Sequence, residues 1–129
     1  MKLELGPAWV AVVPRRFRRA DLGVRLDIDP TRFAPPNARE EVVGRSTLVI
    51  AGGWEVDCLE TRVTLPGGEI EHQIRARYHM LDTMSVVVVA GPPDRIAEHR
   101  AELDAIVHSA TLETTTSACL AHLLADVDG

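Results

Sequence analysis

Met84-Ser85-Val86-Val87-Val88-Val89-Ala90-Gly91-Pro92-Pro93-Asp94 decides the fold. Its run of valines is apolar on both faces of any strand, which marks a strand buried inside a sheet. Gly91-Pro92-Pro93 turns the chain, and Asp94 stands where a carboxylate suits the start of a helix. Ile96, Arg100, Leu103, Ile106, Val107 and Ala110 then share a stripe at a spacing of about 3.6 residues, so a helix runs from Pro93 to near Val107. The unit is a twisted sheet with a helix packed on it. It carries no nucleophile, phosphate loop or metal cluster.

Upstream of this unit, Glu69 to Leu81 alternates along its length. Ile70, His72, Ile74, Ala76, Tyr78 and Met80 fall on one face, and Glu69, Glu71, Gln73, Arg75, Arg77 and His79 on the other. Asp82-Thr83 reverses the chain, and Pro66-Gly67-Gly68 and Gly52-Gly53 read as hairpin turns. The consecutive hairpins predict an antiparallel meander. Trp54, Val56 and Cys58 alternate, after which the apolar parity moves to Leu59, Val63 and Leu65, so a bulge is expected near Cys58–Leu59. Thr47 to Ala51 is apolar on both faces and reads as an interior strand. Ala38 to Val43 reads as one helical turn capped by Asn37, after a proline-rich loop from Asp29. Trp9 to Val13 and Val24 to Ile28 read as strands. Leu120, Leu123, Leu124 and Val127 predict a last helix starting near Ser117, which covers the sheet or serves as a docking surface.

At 129 residues the chain suits a single domain, with 115–129 as an additional C-terminal helix. Its 46% hydrophobic content supports an ordinary core, and no apolar run approaches the ~20 residues of a membrane span. The start has no apolar leader segment, so a cytoplasmic protein without membrane insertion is expected. Cys58 and Cys119 are then both thiols. The net charge is −5, and the half after residue 65 holds ten acids against four arginines, which disfavours nucleic acid as a partner.

No catalytic, cofactor or metal site is expected from the motifs. His72 and His79 point to opposite faces, so they do not share a metal, and His72 reads as a hydrogen-bonded core histidine. Cys119 and His122 supply only two of the four ligands that structural zinc needs. Arg15-Arg16-Phe17-Arg18-Arg19 fits a patch for an anionic partner, but a solvated turn tethering Asp21 is the preferred reading. The surface expected to meet a partner comprises Glu71, Gln73, Arg75 and Arg77, with Leu120 and Leu124 of the last helix.

The strand end Val87-Val88-Val89-Ala90, then Leu103-Asp104-Ala105-Ile106-Val107 and His108-Ser109-Ala110, resembles the C-terminal part of the PsbP/DcrB-like superfamily over roughly residues 45–112. The resemblance implies an α+β fold, an antiparallel meander flanked by helices in an α/β/α sandwich. Its members are mostly non-enzymatic: photosystem extrinsic subunits, small-GTPase-binding factors, lipoproteins and dimeric effector chaperones. No catalytic residue carries over. The chain departs from the group in the proline-rich loop at 30–36, the missing leader and the helix after Thr116.

The expected function is therefore a non-enzymatic protein-binding adaptor or chaperone without cofactor, with a homodimeric state compatible. One alternative is a small hydrolase or ligand-binding enzyme using His72, Tyr78 and a carboxylate such as Glu71 in a pocket. Another is an immunity protein, whose acidic C-terminal half would suit a basic toxin.

Overall fold

Seven antiparallel strands build one sheet in a computed structural model that describes residues 1–79 and 83–112. The strands are β1 (Val10–Val13), β2 (Arg16–Arg19), β3 (Val24–Ile28), β4 (Arg39–Val49), β5 (Glu55–Thr64), β6 (Ile70–His79) and β7 (Met84–Gly91). Their order across the sheet is β1-β2-β3-β7-β6-β5-β4. Two meanders, β1 to β3 and β4 to β7, meet where β3 pairs with β7. Residues 29–38 connect the meanders, passing from the middle of the sheet to its far edge.

The meander forms where the sequence predicts turns. Gly52 and Gly53 have φ of 88° and 80°, a region that favours glycine, and they close the β4–β5 hairpin. The central strand β7 is buried on both faces, which is why it reads as an unbroken apolar run. Val87 and Val89 face the helices, beside Ala76 and Ile74 of β6 and beside Ile28 and Leu26 of β3. Above them lie α1 (Pro93–Glu98) and α2 (Arg100–His108), which bring Ile96, Leu103, Ile106 and Val107 into the same core. Tyr78 is fully buried and its hydroxyl donates to the Val107 carbonyl at 2.8 Å, tying β6 to the end of α2. Burial pushes its phenol well above the ordinary range. At the β7–α1 corner a Cβ on Gly91 would lie 2.8 Å from Val24 Cγ2, so only glycine allows β3 this close.

Several expectations are corrected. The α/β/α sandwich is not formed. Among the described residues the helices are two, of six and nine residues, both on one face of the sheet, and the fold is β-rich. The opposite face surrounds a small Val86–Val88–Ala90 cluster with polar side chains, most of them in ion pairs or hydrogen bonds, and the 29–38 segment roofs it. Residues 39–43 belong to the long edge strand β4 rather than to a helical turn, and Asn37 has φ of 65°, a turn conformation. Thr47 to Val49 also lies in this edge strand, with Thr47 and Val49 exposed, instead of in the sheet interior. No bulge interrupts Cys58–Leu59: β5 pairs with β6 in continuous register from Val56 to Thr64. The bulge sits opposite, in β4 between Val42 and Gly44. The parity change in β5 arises because Val56 and Cys58 are buried on the helix face, whereas Thr61 and Val63 are buried on the other. The predicted last helix, with Leu120 and Leu124, lies outside the described residues. No helix among the described residues is long and apolar enough to cross a membrane.

Candidate functional site

On the face opposite α1 and α2, strand pairing gathers residues that are distant in sequence. Arg16 of β2 stands across from Asp27 of β3, and its Nε lies 2.9 Å from Asp27 Oδ1. The next pair on that face is Arg18 across from Arg25. Arg25 is held by Glu71 in a two-pronged ion pair, at 2.6 and 3.0 Å, and its Nε lies 3.5 Å from Asp27. Among the described residues, no carboxylate reaches Arg18.

The 29–38 segment forms the second wall. It begins at Asp29 and ends at Asn37, both in the left-handed region, with φ of 49° and 65°. The Asp29 amide donates to the Val86 carbonyl at 2.7 Å, and its Oδ1 accepts from the Val86 amide at 2.8 Å. In mid-segment, Gln73 Nε2 donates to the Phe33 carbonyl, and the Arg75 guanidinium lies 4.6 Å from the centre of the Phe33 ring. Arg75 also pairs with Glu40 at the start of β4. Between this strap and β2–β3 lies a hollow of about 450 Å³, lined by Arg16, Arg18, Arg25 and Arg32, by the carboxylate of Asp27, and by Phe33, Ala34, Pro35 and Pro36. Five arginines (16, 18, 25, 32 and 75) stand on or beside this face against the carboxylates of Asp27, Glu71 and Glu40, so the locale is positive in a chain of net charge −5.

The four sequence-predicted surface residues of β6 do share this face. Gln73 is fully buried under the strap, and it also donates to Glu71 Oε1 at 3.0 Å. Its Oε1 accepts two bonds from Arg75, at 3.1 and 3.0 Å. Glu71, paired with Arg25, and Arg75, paired with Glu40, are both largely buried, and Arg77 stands half-buried across from Asp57. Thr61, across from Gln73, keeps a buried hydroxyl with no partner among the described residues. Leu120 and Leu124 lie outside the described residues.

His72, Tyr78 and Glu71, the trio named for an enzyme site, do not converge. His72 is on the helix face with Tyr78, but Glu71 points away to the other face, as alternation along a strand requires. The carboxylate that His72 meets is Glu60, at 3.1 Å. Glu60 also pairs with Arg100 of α2, and Arg100 Nε donates to Asp104 Oδ1 at 2.9 Å. Arg100, and secondarily His72, holds the Glu60 carboxyl below its usual value. Cys58, two residues along β5, is buried, and burial followed by the Asp104 charge pushes its thiol up, away from the reactive thiolate. This network pins α2 to the sheet. Among the described residues, no three of His, Cys, Asp and Glu group as metal ligands. Cys119 and His122 lie outside the described residues.

The basic cluster at 15–19 divides in two. Arg19 faces the helices and binds Glu102 of α2 and Asp21, the tether foreseen from sequence. Arg16 and Arg18 alternate to the other face and enter the groove. Their period-two spacing was readable. Arg25 and Arg32 join them only through strand pairing and the strap. No protein-family model matches the chain, and no curated protein matches it either. The likeness to the PsbP/DcrB-like group rests on the quoted residues alone.

Proposed function

We propose that this chain is a non-enzymatic protein-binding domain that docks an acidic segment of its partner in the arginine-lined groove. The observation that supports this reading is the pairing of Arg18 with Arg25. Like charges directly opposite on a sheet face are destabilising. Arg25 is neutralised by Glu71 and Asp27, whereas Arg18 has no carboxylate among the described residues. A folded domain gains nothing from that arrangement, but a bound carboxylate does: guanidinium groups bind carboxylates in a planar, two-pronged geometry. Phe33, Pro35 and Pro36 line the hollow beside these arginines and shield a carboxylate bound there from solvent. A recognition loop mounted on a rigid sheet is a common way to present a binding surface. The overall negative charge favours a short acidic segment over a long polyanion such as nucleic acid.

The test is a fluorescence-anisotropy titration with a labelled octa-glutamate peptide at low salt. Arg18→Glu should weaken binding about tenfold or more, equivalent to about 1.4 kcal/mol, and added salt should weaken it further. Arg95→Glu, on the exposed side of α1, is the control and should bind as the parent does. Equal binding by the two variants, or no binding by the parent, would reject the groove. Thermal melts of both variants confirm that folding is not the cause.

A further inference from the structure

The two edges of the sheet are finished differently. The β4 edge carries Arg39, Glu40, Glu41 and Arg45 and a bulge between Val42 and Gly44, devices that resist pairing with a foreign strand. The β1 edge is Val10-Ala11-Val12-Val13, without a charge, and its three valines are 63%, 52% and 50% exposed. An irregularity between Ala11 and Val13, and Pro14 just beyond, limit the length of strand that fits there. Among the described residues nothing pairs with its outer side, so its apolar side chains and one row of backbone groups stand open.

This open edge borders the arginine row. Val10 stands across from Arg18, and Val13 across from Arg16. A strand added outside β1 would lie about 10 Å from β2, two strand spacings away. The extended side chains of a glutamate and an arginine together span that distance over a valine. Residues at alternate positions of the added strand would turn the other way, toward Ala11 and half-buried Phe17 on the helix face. Building on the groove reading above, we propose that the partner's acidic segment docks as an eighth strand on β1. Its acids occupy every second position, facing Arg16 and Arg18, and apolar residues lie between them. Backbone hydrogen bonds to β1 supply register and the arginines supply selectivity, the division of labour of strand addition. A second copy of this chain is the poorer occupant, because its β1 brings no acid to the arginine row.

The probe is a labelled octapeptide of alternating Glu and Val, compared with the block isomer of the same composition. The alternating peptide should bind about tenfold tighter. N-methylation of one alternate set of its amides should abolish binding, and methylation of the other set should be tolerated. The amides of residues 10–13 should gain protection from hydrogen exchange when the peptide binds. Equal affinity for the two isomers, or indifference to both methylation patterns, would overturn strand addition. If Arg18→Glu still weakens binding in that case, the groove reading survives; if it does not, both fall. A peptide-free dimer in sedimentation that protects residues 10–13 would assign the edge to a second copy and also overturn the proposal.

Discussion

Val87 and Val89 point to the helices, and their neighbours Val86 and Val88 point to the strap, so one strand serves two interiors built by opposite means. Toward the helices, Leu26, Ile74, Ile96, Leu103 and Val107 pack an apolar core. Toward the strap, Val86, Val88 and Ala90 form a small apolar cluster bordered by Asp27, Glu71, Gln73 and Arg75, whose ion pairs and hydrogen bonds accompany a single loop. The first face satisfies packing at nearly every position. The second retains a Thr61 hydroxyl without a partner among the described residues and an arginine set against an arginine. A region that leaves stabilising opportunities unused is where function is expected to override stability. Substitutions on the helix face should therefore change stability and spare binding.

The largest effect should come from Leu103→Ala. Leu103 is almost fully buried at the centre of the helix-side core, and truncating such a side chain costs about 2–5 kcal/mol. Urea unfolding monitored by circular dichroism measures the loss. Octa-glutamate binding per folded molecule should stay at the parent level. Lost binding with unchanged stability would erase the distinction between the two faces.

The helix-side face was largely legible in the sequence, and the strap-side face was not. Alternation along β6, the valines of β7 and the stripe in α1–α2 are local periodicities, each set by one core. The second face depends on pairings between β2, β3 and β6, between residues as far apart as Arg25 and Glu71, and no local spacing encodes them. The parity change in β5 did signal a second buried face, but the same signal fits a bulge. The helical turn expected at 38–43 failed because pairing with β5 overrides weak local preference. The preference for a solvated turn over a patch at Arg15–Arg19 weighed those residues without Arg25 and Arg32, which only the fold brings beside them.

An intermediate effect of opposite sign should follow from Thr61→Val on the strap side. The hydroxyl is buried and unpartnered among the described residues, and leaving such a group unsatisfied costs about 1–3 kcal/mol. Replacing it with a methyl group of similar shape should stabilise the fold by about 1 kcal/mol, read as a higher urea midpoint with an unchanged slope. Destabilisation would mean that the hydroxyl is bonded in solution, and the strap side would then be as well satisfied as the helix side.

The smallest effect tests a polar cluster on the helix side, where Glu60 joins His72 and Arg100. Arg100 holds the Glu60 carboxyl below its ordinary value of 4.5 in the folded protein, and unfolding releases it to that value. As pH falls, the unfolded chain therefore takes up this proton first. The pair's contribution is complete well above pH 4.5 and drains away as the pH drops from there through the lower folded value. Because the pair is partly solvated, its contribution should be only about 0.2–1 kcal/mol. The stability gap between the parent and Glu60→Gln, from urea unfolding between neutral and acidic pH, should narrow as acid is added. A gap that holds constant across that range would place Glu60 outside the ion pair. The helix side would then owe still more of its cohesion to apolar packing, and the contrast with the strap side would be sharper.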